Sequence, residues 1–341
     1  MTGRRAAIAP TYRLGRQTAF PIRPVELQSC KQHDQFAWGT LPAWTGIADS
    51  LSAWVTLTNG IPGFFEANPR AFLGARVPLG TDAAGYYSTA PLRNTLTELV
   101  DFALIKRNTP RLMVGAAHVR TSMMRYFDSR DTEIKVEHIM ASGALPPAFP
   151  AVRIDGEFYW DGGILSNTPT EAIFDDNPRR NSLIFAVHVW NPTGPEPNTI
   201  LEVLHRYKDV QYSSRIANHI TRQSEAHRLR HVVSELTKFL PDEIRKTPQV
   251  RELASYGCPT RMHVVRLLAP RLDNESHAKD IDFSPSGIRE RWQAGYADTC
   301  RALARAPWIG NFGPVDAVVL HEPEPAEESE WLIERLAAAA Q

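Results

Sequence analysis

The strongest chemical signal in the sequence is an aspartate followed by two glycines, in "FYWDGGILSNTP" (residues 158–169). Asp161 precedes Gly162-Gly163, the only Gly-Gly pair of the chain, and follows Phe158, Tyr159 and Trp160. An apolar wall disfavours a charged carboxylate, raises its pKa from about 4 and makes it a better base. Two glycines let the backbone approach a ligand or a neighbouring loop closely. These residue types suit general-base catalysis. They equally suit an Asx-turn, in which the carboxylate only caps the chain reversal.

Other candidates are weaker. His227 and His231 stand four apart, so a helix places both on one face, but no Glu follows His227 and no third ligand is near. The zinc-protease pattern therefore fails, and a surface pair on an Arg-rich helix is expected, with no metal. His118 and His188 lie in apolar runs and read as hydrogen-bonded core histidines. His277, Asp280 and Asp282, in "SHAKDIDFS", form only a minor clamp candidate. No G-x-G-x-x-G or G-x-x-x-x-G-K-[ST] occurs, so no nucleotide cofactor, and no cofactor of any kind, is expected. Ser142 is preceded by Ala141 and followed by Gly143, and Ser166 has no glycine beside it. Neither has the two glycines of a nucleophile elbow, and both read as hydrogen-bonding residues of a helix end and a turn.

The elements that must hold Asp161 can be read from pattern. "ASGA" (141–144) ends a predicted helix over 133–143, and Pro146, Pro147 and Pro150 force an extended path after it. "VRIDGEFYW" (152–160) alternates around Asp155-Gly156 and reads as a hairpin that delivers Asp161. Thr168 is the expected N-cap of a helix over 168–175, with Pro169 at its first position. The apolar runs at 111–119, 182–190 and 261–269 read as strands, and helical periods are expected at 91–105, 199–240 and 285–305. Near-continuous apolar strands separated by helices point to a parallel sheet covered on both faces. Upstream, "DSLSAWVTLTNGIPGFF" (49–65) closes on a Pro-Gly turn. In the long helix, Leu229, Val233, Leu236 and Leu240 make an apolar stripe opposite Arg215, Arg222, Arg228 and Arg230. The basic side is either a solvated face or a surface for lipid head groups.

Composition narrows the classes. The 341 residues are 43% apolar and 22% charged, an ordinary globular balance. Thirty-eight basic residues offset 38 acidic ones, which gives no argument for nucleic acid. Cys30, Cys258 and Cys300 are far apart and odd in number, fitting a reducing compartment. No apolar run is long enough for a transmembrane helix or a secretory signal, so a cytoplasmic chain is expected. Residues 1–34 show no period. They are Arg-rich and acid-free up to Glu26, the composition of a transit peptide or of an unstructured, mis-started leader.

Taken together, "ASGALPPAFP" and "DGEFYWDGGILSNTP" resemble the second half of the patatin-like phospholipase catalytic domain. "PLRNTLTELVDF" and "RLMVGAAHVRTSMMRYFD" are similar to that family's segments upstream of the motif. The resemblance covers about 35–192. Residues 193–322 resemble a C-terminal module of some bacterial patatin-like proteins, and 323–341 read as a Pro/Glu hinge with a short terminal helix. The resemblance implies a three-layer α/β/α fold with a mainly parallel sheet and an α-rich extension. It also implies a serine–aspartate dyad acting on lipid esters, with peripheral membrane contact as one reading. Asp161 takes the position of the base, and Gly162 and Gly163 shape its turn. The sequence departs from the family in one respect: none of the 341 residues forms a G-x-S-x-G elbow or a Gly-Gly-Gly oxyanion loop. The expectation is an N-terminally incomplete hydrolase, inactive alone. The alternatives are an inactive interaction protein that keeps the fold, or a site completed by a separate chain.

Overall fold

The computed structural model of the chain describes residues 58–105, 110–269, 285–313 and 316–322. The leader 1–34, Cys30, the His277–Asp280–Asp282 group and the tail 323–341 lie outside the described residues. The fold class is α/β.

The described part opens on the expected turn. Pro62 presets its first central position and Gly63, at φ +80°, supplies the second, with Phe64 N–H donating to the Ile61 carbonyl at 2.9 Å. Strands β1 (Glu66–Ala67) and β2 (Tyr87–Ser88) then pair antiparallel. The helical period at 91–105 becomes two helices, α1 (Ala90–Leu99) and α2 (Phe102–Ile105), because Val100 is extended at φ −108°, ψ 120°.

A four-stranded antiparallel sheet comes next, built from β3 (Met113–His118), β4 (Met124–Asp128), β5 (Val152–Ile154) and β6 (Glu157–Asp161). Its order is β4-β3-β6-β5. The run at 111–119 thus joins an antiparallel sheet and not the parallel one its apolar character suggested. Only residues 119–123 separate β3 from β4, far fewer than a parallel crossover needs. The β5–β6 hairpin is as the alternation predicts, with Asp155 at φ +50° and Gly156 at φ +88°. Positive φ at both positions matches the twist of the flanking strands. Helix α3 (Val136–Ser142) lies against this sheet. Its Ala141 packs with Ala116, Phe127, Ile154 and Tyr159, and with Ile134 just ahead of the helix.

The second core belongs to a parallel sheet. After the short α4 (Glu171–Phe174) come β7 (Ser182–His188), the 39-residue α5 (Ile200–Lys238), α6 (Asp242–Arg245) and α7 (Pro248–Ser255). Strand β8 (Met262–Leu268), α8 (Pro285–Arg305) and β9 (Val318–His321) complete the order. The sheet runs β7-β8-β9, all parallel. Phe174, Ile184, Ala186, Met262 and Val264 form its buried cluster. One sheet therefore joins a strand before residue 192 to two strands after it.

Helix α5 corrects the stripe reading. Leu229 and Leu236 are 68% and 60% exposed, while Asp209, Ser213, Ile220, His227 and His231 are buried. Part of this buried polar set is hydrogen-bonded: Ser213 donates to the Asp209 carbonyl, and His227 Nε2 meets the Thr260 carbonyl at 3.0 Å, while Nδ1 of His227 and of His231 is buried without a partner. His227 and His231 are thus core residues and not a surface pair. No metal-holding group of three or more ligands occurs among the described residues. No described helix is long and apolar enough to cross a membrane.

Candidate active site

Asp161 is the last residue of β6, opposite Ala116 of β3. Residues directly opposite share a face of the sheet, and Ala116 belongs to the core under α3. Asp161 therefore leaves the sheet on the α3 side, half-buried where the strand ends. Its backbone N–H donates to the Ala144 carbonyl at 3.0 Å, which ties it to the segment that follows α3. The two halves of the motif, "ASGA" and "DGG", are thus joined directly, a contact that residue types alone do not announce.

The glycines have separate tasks. A Cβ on Gly162 would stand 2.6 Å from the Gly115 carbonyl oxygen and 2.8 Å from its carbon, so the chain passes β3 too closely for any side chain. A Cβ on Gly163 would come within 3.1 Å of Asp161 Oδ1 and 3.2 Å of Asn167 Oδ1. Gly163 N–H donates to Asp161 Oδ1 at 2.7 Å, opening the 3-10 turn Gly162–Ile164. This is the Asx-type cap that the residue types allowed. The cap leaves most of the acceptor capacity of the carboxylate unused, since it takes up one hydrogen bond.

Burial raises the Asp161 pKa above the usual carboxylate value, and the Gly163 hydrogen bond only partly opposes it. The cause differs in detail from the aromatic wall read from sequence. Alternation along β6 sends Phe158 and Trp160 to the face opposite Asp161, and Tyr159 alone shares its side. Tyr159 is buried in the core, whereas Phe158 stacks under the Arg153 guanidinium at 4.4 Å. Among the described residues no arginine, lysine or histidine forms an ion pair with Asp161.

The segment beyond the motif differs from expectation. Thr168 does not cap the helix: α4 starts at Glu171, with Thr170 as N-cap residue. Thr168 Oγ1 instead approaches the Val187 carbonyl of β7 at 3.4 Å, so the loop after Asp161 reaches the carboxyl end of the parallel sheet. Ser166 N–H donates to the Gly162 carbonyl, inside the turn, and Ser142 closes α3. No serine hydroxyl donates to Asp161 among the described residues.

Sequence reading missed a second carboxylate site. Arg111 and Arg130 clasp Asp128 and Asp176 together: Arg111 Nη1 reaches Asp176 at 2.9 Å, Arg130 Nη2 reaches it at 2.8 Å, and both also bind Asp128. The Arg111 hydrogen bond, ahead of all else, drops the Asp128 pKa to about 2. Burial pushes Asp176 up, but its bonds to the two arginines outweigh it and the net shift is downward. Partners up to 65 residues apart leave no local spacing to recognise.

Comparison with known families agrees with this architecture. Residues 43–174 match the patatin-like phospholipase family. Residues 210–314 match a second family, described as patatin phospholipase. No curated protein matches the chain. The two matches together span more than two thirds of the sequence, and the chain belongs to the patatin-like phospholipase family, whose kind of activity is lipid acyl hydrolysis.

Proposed function

We propose that this chain carries the base of a serine–aspartate dyad that cleaves lipid acyl esters. Asp161 takes the proton of a serine hydroxyl as that oxygen attacks the acyl carbonyl, then returns it to the leaving alcohol. The observation that supports this reading best is the state of the carboxylate. It is half-buried, raised in pKa, free of any cationic partner among the described residues, and fixed by a single backbone N–H. A structural aspartate in such surroundings would be expected to hold an arginine, as Asp128 does. The substrate is a lipid or related ester, met at the periphery of a membrane.

The attacking oxygen is not identifiable within the 341 residues, which hold no G-x-S-x-G and no Gly-rich oxyanion loop. On this reading the 341 residues alone do not turn over esters, because no elbow serine stands among them to give Asp161 its proton. The same absence favours a second reading, in which the fold is kept as a non-catalytic interaction protein. Assay of the purified chain against p-nitrophenyl esters and phospholipid tests both. The expected result is no turnover above that of Asp161→Asn. Turnover abolished by Asp161→Asn would overturn the inactivity and keep the base, whereas turnover indifferent to Asp161→Asn would remove Asp161 from the mechanism.

A further inference from the structure

The loop that joins β1 to β2 turns its largest apolar side chains outward. Phe72 and Leu73, adjacent at the end of the 3-10 turn Pro69–Leu73, are 67% and 72% exposed. Tyr86, whose ring lies 6.1 Å from that of Phe72, and Val77 are exposed as well. Single exposed apolar residues are ordinary, but adjoining ones on one loop mark an interaction surface.

The two ends of the loop meet at Asn68. Its side chain caps the turn by accepting from the Arg70 N–H at 3.2 Å, and its Nδ2 donates to the Ala83 and Gly85 carbonyls at 3.1 and 2.9 Å. Its backbone N–H donates to the Tyr86 carbonyl at 2.9 Å. With both ends pinned, the apolar tip stays in water, a cost that a partner would remove.

Charge and position narrow the partner. Residues 67–81 carry Arg70 and Arg76 and no acidic residue. Both arginines are exposed, and neither forms an ion pair among the described residues. Asp82, the first acid after them, approaches Arg153 at 3.8 Å. Apolar side chains flanked by cations suit the interface of an anionic bilayer, where rings and aliphatic groups pass between head groups and guanidinium groups stay at the phosphates. The loop is also tied to the candidate site. Tyr86 and Tyr87 N–H donate to the Pro147 and Ala148 carbonyls at 3.1 and 2.9 Å, three and four residues beyond Ala144, whose carbonyl holds the Asp161 N–H.

We propose that the Phe72–Leu73 tip inserts into an anionic lipid surface, with Arg70 and Arg76 at its phosphates, and brings that surface to Asp161. Delivery to Asp161 rests on the acyl-ester function proposed above, whereas insertion is read without turnover. The full 341-residue chain is sedimented with vesicles of phosphatidylcholine alone and of phosphatidylcholine with phosphatidylglycerol. Binding is expected, tighter to the anionic vesicles. Phe72→Ser and Leu73→Ser should each weaken it about tenfold or more. Arg70→Gln and Arg76→Gln should each weaken it about fivefold, on the anionic vesicles only. Leu253→Ser, at a comparably exposed site on α7, should bind as wild type. No vesicle binding, or binding equal in wild type, Phe72→Ser and Leu73→Ser, would overturn the insertion. So would loss on Arg222→Gln or Arg228→Gln with none at the tip, which would move the contact to α5. A wild-type dimer in sedimentation velocity that Phe72→Ser splits, with vesicle binding unchanged, would make the tip a contact between copies instead. No step of this assay needs Asp161, so its failure would leave the proposed base untouched.

Discussion

Two carboxylates end the two strands that flank β3 in the antiparallel sheet, and they are held in opposite ways. Asp128 ends β4 between two arginines and sits far below the usual carboxylate pKa. Asp161 ends β6 with one backbone N–H and sits above it. A charge that is taken partly out of water and paired stabilises the fold. A charge taken partly out of water and left unpaired costs stability, and persists where its reactivity is used. The sheet thus contains one carboxylate fastened by arginines and one held by a single backbone N–H, the one proposed as the base.

Removing the fastening should give the largest effect. Asp128→Ala leaves two guanidinium groups facing Asp176 alone, and is expected to destabilise the chain by about 2–3 kcal/mol in urea unfolding. The wild-type clasp has a definite pH window. Because the folded pKa is depressed to about 2, its contribution is complete above the ordinary value of 3.8 and is lost as pH falls toward 2. Asp128→Asn should remove most of that acid sensitivity.

The turn at Asp161 is next. Gly162→Ala drives a methyl group into the Gly115 carbonyl and must push β6 off β3, at about 1–3 kcal/mol. It should also displace Asp161, so its raised pKa should fall back toward the ordinary value. A neutral Gly162→Ala would mean the two strands are looser than the contact implies.

The smallest effect should carry the opposite sign. Asp161→Asn keeps the Oδ1 acceptor for Gly163 and removes the buried charge, so at pH 7 it should match or exceed wild type by up to about 1 kcal/mol. The sign follows from the raised folded pKa. The folded state binds more protons than the unfolded one as pH rises from 3.8, so wild type loses stability across that interval. Below it the two proteins should unfold alike. A clear loss of stability in Asp161→Asn would erase the contrast with Asp128.

What was legible in the sequence follows the range of the forces involved. Asp155-Gly156 announced its hairpin because positive φ at two successive positions selects those residues. The helix end at Ser142 and the parallel strands at 182–188 and 262–268 were equally local. The sheet partner of β3 was not, since an apolar run reads the same in either kind of sheet. Helix α5 defeated the stripe argument because its inward face carries Asp209, Ser213, His227 and His231, whose acceptability depends on partners such as Thr260. At the site, Asp161 and its glycines were visible as a motif. The tie to Ala144 and the clasp on Asp128 were not, because both join residues distant in sequence.

The contrast between the two aspartates is tested most directly by a carboxyl ¹³C NMR titration of the full chain, with Asp161→Asn and Asp128→Asn used for assignment. The account predicts Asp161 titrating above 3.8 and Asp128 near 2 in the same sample. Asp161 titrating at or below 3.8 would contradict it, since a cation or further donors would then hold the carboxylate that is assigned here as a base.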